Sequence, residues 1–249
     1  MIIIIPGAGG RIGFELSRYL FEQGHKLILG ESNKTQLRLL KKFFKDSKKI
    51  ATYQADLTKQ KNIVNFIKFG LKKFKKIDCA VNCMYPKTNS WNQQIGKISE
   101  KKLGYFLTSN LGSTIIFSQE IIKVFMKFKS GKLLNISSIQ GVYAPKFEHY
   151  EKLNMQSPIQ YTAVKSSIIG LTRYLAKFYG KNNIYVNCLS PGGILDNQKK
   201  KFIKNYRKSC LTKGLLNAKD VCTTIEFLIS KKSNYINGQN LIIDDGWGL

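Results

Sequence analysis

Short apolar runs alternate along the chain with longer stretches whose apolar positions recur every three or four residues. Ile2 to Ile5 is an unbroken β-branched run, the composition of a parallel strand buried on both faces rather than of a strand with one wet face. Comparable runs lie at His25 to Gly30, Ile50 to Gln54, Ile77 to Asn82, Lys132 to Ser137, Ile184 to Cys188 and Gln239 to Ile243. Between them, Ile12, Leu16, Tyr19 and Leu20 fall on one side of a helix, and helical periodicity recurs over Asn33 to Phe44, Lys59 to Phe74, Glu100 to Phe128, Ile159 to Tyr179 and Ala218 to Ile229. This alternation predicts an α/β fold built on a doubly wound parallel sheet. No linker-like stretch or internal repeat divides the 249 residues, so 1–249 is read as one domain. No apolar run approaches the ~18 to 20 residues of a membrane span, and the opening run is too short for a signal peptide. A soluble cytoplasmic protein is expected.

The first strand runs into Pro6-Gly7-Ala8-Gly9-Gly10-Arg11-Ile12-Gly13 and then a helix. Strand, glycine loop and helix is the context in which glycines let backbone turn tightly and approach a pyrophosphate, while the helix N-terminus offers N–H donors and positive potential. Gly7, Gly10 and Gly13 carry that reading, with Arg11 and Ile12 in the loop. The spacing is Gly-x-x-Gly-x-x-Gly, not the stricter Gly-x-Gly-x-x-Gly. The second strand ends at Glu31, 18 positions beyond Gly13 (31 − 13). A carboxylate there accepts hydrogen bonds from ribose hydroxyls and repels a 2′-phosphate, which favours NAD over NADP. Glu31 equally suits a solvated turn or a helix cap, and Arg11 or Lys34 could meet a phosphate.

Tyr161 and Lys165 stand four apart in a helical stretch, and an apolar strand ends in Asn135-Ile136-Ser137-Ser138. Residues four apart share a helix face, so a Lys165 ammonium beside the Tyr161 phenol would lower its pKa from the ordinary value of about 10. Ser138, at a strand's carboxyl end, would open into the crevice where such sheets bind ligands and hold a substrate oxygen beside that phenol. Proton transfer at oxygen is the implied chemistry.

Composition changes the picture little. Five cysteines without a Cys-x-x-Cys pair or a nearby histidine read as apolar fillers in a reducing compartment, and no metal site is expected. Cys83 alone follows a strand end that faces the expected pocket. The formal charge of +26 makes a nucleic-acid binder the rival class. Lysines nevertheless outnumber arginines heavily and are spread over nearly every helix, the pattern of solvated faces rather than of bidentate phosphate recognition. Nucleic acid is not the expected partner.

With the glycine loop, Asp56-Leu57-Thr58, Asn82, Asn110, Ser138, Tyr161, Lys165 and Pro191-Gly192 in order, the chain resembles the short-chain dehydrogenase/reductase family over its whole length. The resemblance implies a seven-stranded Rossmann-type sheet, usually in a homodimer or homotetramer built through the two long helices. It implies that Asp56 and Leu57 border the adenine, Asn82 lies beside the adenosine ribose, and Pro191, Gly192 and Ile194 meet the nicotinamide. Asn110, Ser138, Tyr161 and Lys165 are the implied catalytic set, Asn110 through a water linking Lys165 to solvent, with Tyr161 and Lys165 also touching cofactor.

Departures from the family pattern matter too. Its threonine before the glycine loop is Pro6, its Asn-Asn-Ala-Gly is Asn82-Cys83-Met84-Tyr85-Pro86, and the threonine after Pro-Gly-x-Ile-x is Asp196. The glycine spacing is that of the family's extended branch although the length is that of the shorter one. Ser138 and Tyr161 are 23 positions apart (161 − 138), longer than the family norm, and the added stretch would sit over the substrate mouth. With Tyr85-Pro86 and the terminal Asp244-Asp245-Gly246-Trp247, it is similar to bacterial flagellin-modification oxidoreductases of sialic-acid-like sugar pathways. An NAD-dependent enzyme interconverting a secondary alcohol and a ketone on a phosphorylated or nucleotide-linked sugar is expected, with Tyr85, Tyr143, Lys146 and His149 as substrate contacts. The alternatives are a cofactor-retaining epimerase or dehydratase on the same fold and a non-catalytic regulatory or nucleic-acid-binding protein.

Overall fold

The computed structural model describes residues 1–45, 47–88 and 96–249. Seven parallel strands form one sheet in the order β3-β2-β1-β4-β5-β6-β7. They are β1 (Ile2–Pro6), β2 (Lys26–Glu31), β3 (Ile50–Gln54), β4 (Cys79–Asn82), β5 (Gly131–Ile136), β6 (Ile184–Pro191) and β7 (Asn240–Ile243). The helices are α1 (Arg11–Glu22), α2 (Lys34–Phe44), α3 (Gln60–Phe74), α4 (Glu100–Leu107), α5 (Ser113–Phe128), α6 (Ile159–Tyr179), α7 (Lys200–Arg207) and α8 (Cys222–Ile229).

The β-branched runs behave as double-sided strands. In β1, Ile3 and Ile5 pack with Leu16 and Leu20 of α1, Leu40 of α2 and Ile225 of α8. Ile4 turns to the opposite layer, among Ile63, Phe66 and Ile67 of α3 and Phe117, Ile121 and Phe125 of α5. Period-two alternation along one strand therefore feeds two cores, one on each face. The order of strands reverses between β1 and β4, which places a crevice beyond their carboxyl ends.

Two expectations change in detail. The stretch from Glu100 to Phe128 is not one α-helix: a π-helical turn at Thr108–Gly112 separates α4 from α5. Hydroxyls compete with the backbone ladder there, since Ser113 Oγ donates to the Ser109 carbonyl (2.6 Å) and Thr114 Oγ1 to the Asn110 carbonyl (2.8 Å). Such turns interrupt helices where a side chain must be re-aimed, and this one carries Asn110. The second change is α7, which sequence periodicity did not show. Its lysines do face outward, but Phe202 and Tyr206, one turn apart, are buried under the loops.

Among the described residues, no helix is long and apolar enough to cross a membrane.

Phe66 is fully buried between sheet and α3, with its ring against Tyr53 at 5.7 Å between centroids. Phe66→Ala should lower unfolding free energy by about 3–5 kcal/mol. Chemical denaturation followed by circular dichroism measures it; a loss below about 1 kcal/mol would mean that the layer collapses to fill the space.

Candidate active site

The carboxyl ends of β1, β4, β5 and β6 supply the site. Gly7 follows β1 with φ +76°, and a Cβ there would come 2.6 Å from the Cys83 carbonyl oxygen just after β4. Only glycine permits this approach of the two strand ends. Side chains at Gly9 or Gly13 would likewise strike neighbouring groups, the Glu31 carboxylate in the first case and the Gly7 carbonyl in the second. The loop is thus a cradle of bare backbone at the start of α1, the kind of surface a pyrophosphate can approach.

Glu31 is buried at the end of β2. Its Oε2 accepts the Gly9 N–H (2.9 Å), and its Oε1 accepts the Asn33 N–H (2.8 Å). It does not cap α2; Asn33 does, through the N–H groups of Thr35 and Gln36. Glu31 instead ties the glycine loop to the β2–α2 turn. Asp56, after β3, is exposed and accepts from the Thr58 N–H (3.0 Å) and hydroxyl (2.7 Å), while Leu57 is buried beside Ile28 and Phe66. Asn82 ends β4, accepting the Met84 N–H (3.2 Å) and reaching Thr114 Oγ1 (3.4 Å).

On the other side of the crevice, Gly192 N–H donates to Ile243 O (2.7 Å) and Gly193 N–H to the Tyr206 hydroxyl (2.7 Å). Ile194 bridges to Leu216. Asp196, where a family hydroxyl is missing, forms an ion pair with Arg11, and Arg11 Nη1 donates to the Leu195 carbonyl (2.9 Å). Arg11 is therefore committed within the protein to the segment after β6. The pairing also accounts for Asp196, whose carboxyl is held below its usual range despite some burial by the Asn197 N–H and by Arg11.

Ser138, Tyr161 and Lys165 converge through a stitched junction of β5 and α6. Ser137 Oγ donates to the Lys165 carbonyl (2.7 Å), Ser166 Oγ donates to the Gly141 carbonyl (3.0 Å), and a Cβ on Gly141 would lie 2.7 Å from the Lys165 carbonyl carbon. Ser138, at the N-terminus of a 3-10 turn, is thereby held beside Tyr161 and shares a hydrogen bond with it. Lys165 is buried, donates to the Ile136 carbonyl (2.9 Å), and lies 5.7 Å from the centre of the Tyr161 ring. Tyr85 meets Tyr161 edge-on at 5.5 Å and takes the other flank of Lys165, 5.3 Å from its Nζ.

Burial dominates the electrostatics here. It lowers Lys165 to about 8 and raises the Tyr161 phenol above its ordinary value, with the Ser138 hydrogen bond pulling the phenol partly back. The expected lowering of Tyr161 by Lys165 is not what this geometry gives, because the ammonium is aimed at Ile136 O and desolvation opposes both charges. Cys83 is likewise pushed up to about 12 by burial and is no nucleophile at neutral pH. Asn110 donates to Phe106 O (3.2 Å) and Pro86 O (3.3 Å), and its buried Oδ1 has no hydrogen-bond partner among the described residues. The residues described include no group of three or more His, Cys, Asp or Glu arranged to hold a metal ion.

The added segment packs on Trp247, Tyr206 and Ser209, and three of the four residues expected to touch substrate serve as its anchors. His149 is buried, 2.9 Å from Ser209 Oγ, with its ring against Tyr206 and Trp247. Lys146 Nζ donates to the Trp247 carbonyl (2.9 Å) and sits 4.7 Å from that ring's centre. Tyr143 packs on Trp247 at 6.3 Å. Tyr85, the fourth, meets the Tyr161 ring edge-on. Sequence reading missed Gln140, Ser157 and Tyr206. The signal for Tyr206 was its spacing from Phe202; for the other two there was none beyond proximity in sequence to Ser138 and Tyr161.

A family model described as enoyl-(acyl carrier protein) reductase matches residues 7–248. The chain is 40% identical to post-translational flagellin modification protein A of Campylobacter coli, over all of this chain and 98% of that protein. It is 28% identical to a 7alpha-hydroxysteroid dehydrogenase of Bacteroides fragilis, covering 98% and 93% of the two chains. Among solved structures, a short-chain dehydrogenase from Leptospira borgpetersenii serovar Hardjo-bovis with bound NAD+ superposes with a TM-score of 0.86 at 28% identity, over 100% of this chain and 92% of that one. The chain belongs to the short-chain dehydrogenase/reductase family.

Burial lowers the pKa of His149, with Lys146 adding to the shift and Glu148 opposing it. A histidine that is harder to protonate folded than unfolded stabilises the fold above its unfolded pKa of about 6.5 and loses that contribution as pH falls below it. Stability should therefore decline from about pH 7.5 to about pH 5.5, on either side of that value, and less steeply in His149→Gln. Urea titrations of both proteins at the two pH values measure this, and equal slopes would show that His149 is not linked to folding.

Proposed function

We propose that the protein is a nicotinamide-dependent oxidoreductase that interconverts a secondary alcohol and a ketone on a phosphorylated or nucleotide-linked sugar, in the synthesis of a flagellin or surface glycan. The observation that carries the chemistry is the convergence of Ser138, Tyr161 and Lys165 at one strand–helix junction beside a glycine cradle. The sugar assignment is supported by the 40% identity to a flagellin modification protein over the whole chain.

NAD is the proposed cofactor, in keeping with the NAD+ bound to the Leptospira dehydrogenase. The cradle at Gly7, Gly10, Ile12 and Gly13 would take its pyrophosphate, Glu31 its adenosine ribose, Asp56, Leu57 and Asn82 the adenine side, and Pro191, Gly192 and Ile194 the nicotinamide. Bound there, the cofactor supplies a hydride acceptor or donor. In the oxidative direction the Tyr161 phenolate takes the substrate hydroxyl proton, Ser138 donates a hydrogen bond to the reacting oxygen, and Lys165 supports the phenolate. Reduction runs the same proton path backwards. Asn110 would act on Lys165 through solvent, its free Oδ1 being an acceptor held in the interrupted helix.

One observation favours a second reading, a cofactor-retaining epimerase or dehydratase. Arg11 joins the loop after β1 to the segment after β6, with β4 and β5 between them in the sheet. Such a tie across the crevice would slow cofactor exchange. Stoichiometric release of NADH on oxidation of a sugar would exclude this reading.

A cytoplasmic homodimer or homotetramer is also proposed. Tyr174 and Phe178 on α6 are 66% and 64% exposed and stacked at 6.1 Å, an apolar helix face suited to a second subunit.

Tyr161→Phe should reduce kcat by about 10²–10⁴ while NADH affinity stays within a few-fold. The measurement is NADH formation in a screen of nucleotide-linked and phosphorylated amino sugars; retention of more than about a tenth of parental kcat would remove Tyr161 as acid/base. Because burial holds the phenol protonated, the parental oxidation rate should rise with pH, and the reduction rate should stay level until the phenol itself titrates. Lys165, losing its charge near pH 8, supports the phenolate less above that value.

Glu31→Gln keeps the side chain's shape and removes its charge. NADPH affinity should then rise about tenfold relative to NADH. Fluorescence titration of both nucleotides tests this, and a parent that already prefers NADPH would sink the assignment of Glu31.

A further inference from the structure

Tyr85 lies in the loop after β4, in the stretch where this chain departs from the family's Asn-Asn-Ala-Gly. Two asparagines fix that loop. Asn82 Oδ1 accepts the Met84 N–H (3.2 Å), and Asn110 Nδ2, from the π-helical turn, donates to the Pro86 carbonyl (3.3 Å). The backbone is therefore held on both sides of Tyr85, and its ring is set against Tyr161 and Lys165. The two tyrosine rings stand edge-on, 5.5 Å between centroids and 86° between planes. Lys165 Nζ lies 5.3 Å from the centre of the Tyr85 ring and 5.7 Å from that of Tyr161. The ammonium and the two ring centres thus form a nearly equilateral triangle.

This ammonium has no anion beside it. Lys165 is buried and forms no ion pair with a carboxylate among the described residues. The titratable groups that face it are Tyr85 and Cys83 from the loop after β4, Cys188 of β6, and Tyr161 of its own helix. Burial pushes both thiols up to about 12, so they stay neutral where this lysine titrates. The Ile136 carbonyl accepts one of the ammonium protons (2.9 Å). The negative faces of the two rings are the remaining compensation for the charge, and both lie within the ~6 Å over which a ring attracts a cation.

We infer that Tyr85 is a positioning residue that holds Lys165 as an aimed cation through its ring, standing in for the carboxylate that a buried lysine would otherwise need. The inference rests on the reading of Tyr161 as acid/base and deepens it: Lys165 supports the phenolate only while it is charged, and Tyr85 prolongs that charge. Tyr85 serves the lysine rather than the substrate, and the role belongs to its ring, not to its hydroxyl. Asn82 and Asn110 present that ring by fixing the loop on either side of it.

The test follows Lys165 by NMR in protein carrying 13C-labelled lysine. Its Cε–Hε signal is assigned by its absence in Lys165→Met and titrated from about pH 6.5 to about pH 11, on both sides of the expected midpoint. No substrate or turnover is needed. In the parent the midpoint should lie below the ordinary lysine value of about 10.4. Tyr85→Leu and Tyr85→Met keep apolar bulk but remove the ring, and each should lower the midpoint further by about one pH unit, the effect of a desolvated cation–ring contact. Tyr85→Phe should restore it to within a few tenths of the parent. Tyr85 is half-exposed on a loop, and the two apolar replacements differ in shape, so that one can fold where the other does not. In the sugar screen, the pH above which oxidation loses the support of Lys165 should move with the midpoint.

A midpoint that stays or rises in the apolar variants overturns the inference, because the ring would then only keep water from the lysine. A fall in Tyr85→Phe equal to that in Tyr85→Leu overturns it too, by giving the role to the hydroxyl. A parent that titrates at the ordinary lysine value does the same. If the midpoints move as expected and no reduced nicotinamide forms with any sugar of the screen, the oxidoreductase reading fails while the clamp on Lys165 stands.

Discussion

The packing of Gly141 against the backbone of Lys165 is the constraint on which the rest of the site depends. A 3-10 turn from the end of β5 is pressed onto the first turns of α6 so closely that no side chain fits between them. Ser137 and Ser166 bind across the same seam in opposite directions, one donating to Lys165 and the other to Gly141. Several residues along the seam have chemical or structural duties as a result. Ser138 is carried to the Tyr161 hydroxyl, Lys165 is buried beneath both, and Gln140 is turned outward to the added segment. The same hydrogen bonds that satisfy backbone groups at a strand end thus set the distances among Ser138, Tyr161 and Lys165.

That burial has an electrostatic consequence. A charged ammonium and a charged phenolate are each disfavoured by desolvation, and Lys165 responds by falling to about 8 while Tyr161 rises. At neutral pH the lysine still carries its proton and the phenol keeps its own, so a phenolate forms most easily where a substrate group or the ammonium compensates it. Lys165 directs its ammonium to the Ile136 carbonyl and to two tyrosine faces. The arrangement disfavours a standing phenolate.

Much of this was legible in the sequence because it depends on local patterns. The double-sided strands follow from β-branched runs, the glycine cradle from its place between strand and helix, and the shared face of Tyr161 and Lys165 from helical spacing. What escaped is decided by partners distant in sequence. Arg11 looked like a phosphate ligand, yet its guanidinium is claimed by Leu195 and Asp196. His149 and Lys146 carried the right chemistry for an anionic substrate but point to Trp247 and Ser209, contacts across 60 or more positions. The π-helical turn that carries Asn110 leaves no mark on the apolar periodicity, and α7 is short, lysine-rich and signalled only by Phe202 and Tyr206.

Trp247 and its neighbours support the added segment from below. Trp247 is buried among Tyr143, His149 and Tyr206, and Lys146 grips its carbonyl, so the last residues serve as a floor for the added segment. Tyr206 joins that floor to the proposed nicotinamide side by accepting the Gly193 N–H. A change in the segment after β6 would therefore be felt at Trp247, and through it at the segment that carries Tyr150. The residues with the most suggestive side chains are taken up by this scaffold. An insertion that first reads as a set of substrate-binding groups is, in three dimensions, held in place by those groups: Tyr143, Lys146 and His149 spend their rings and polar atoms on Trp247, Tyr206 and Ser209.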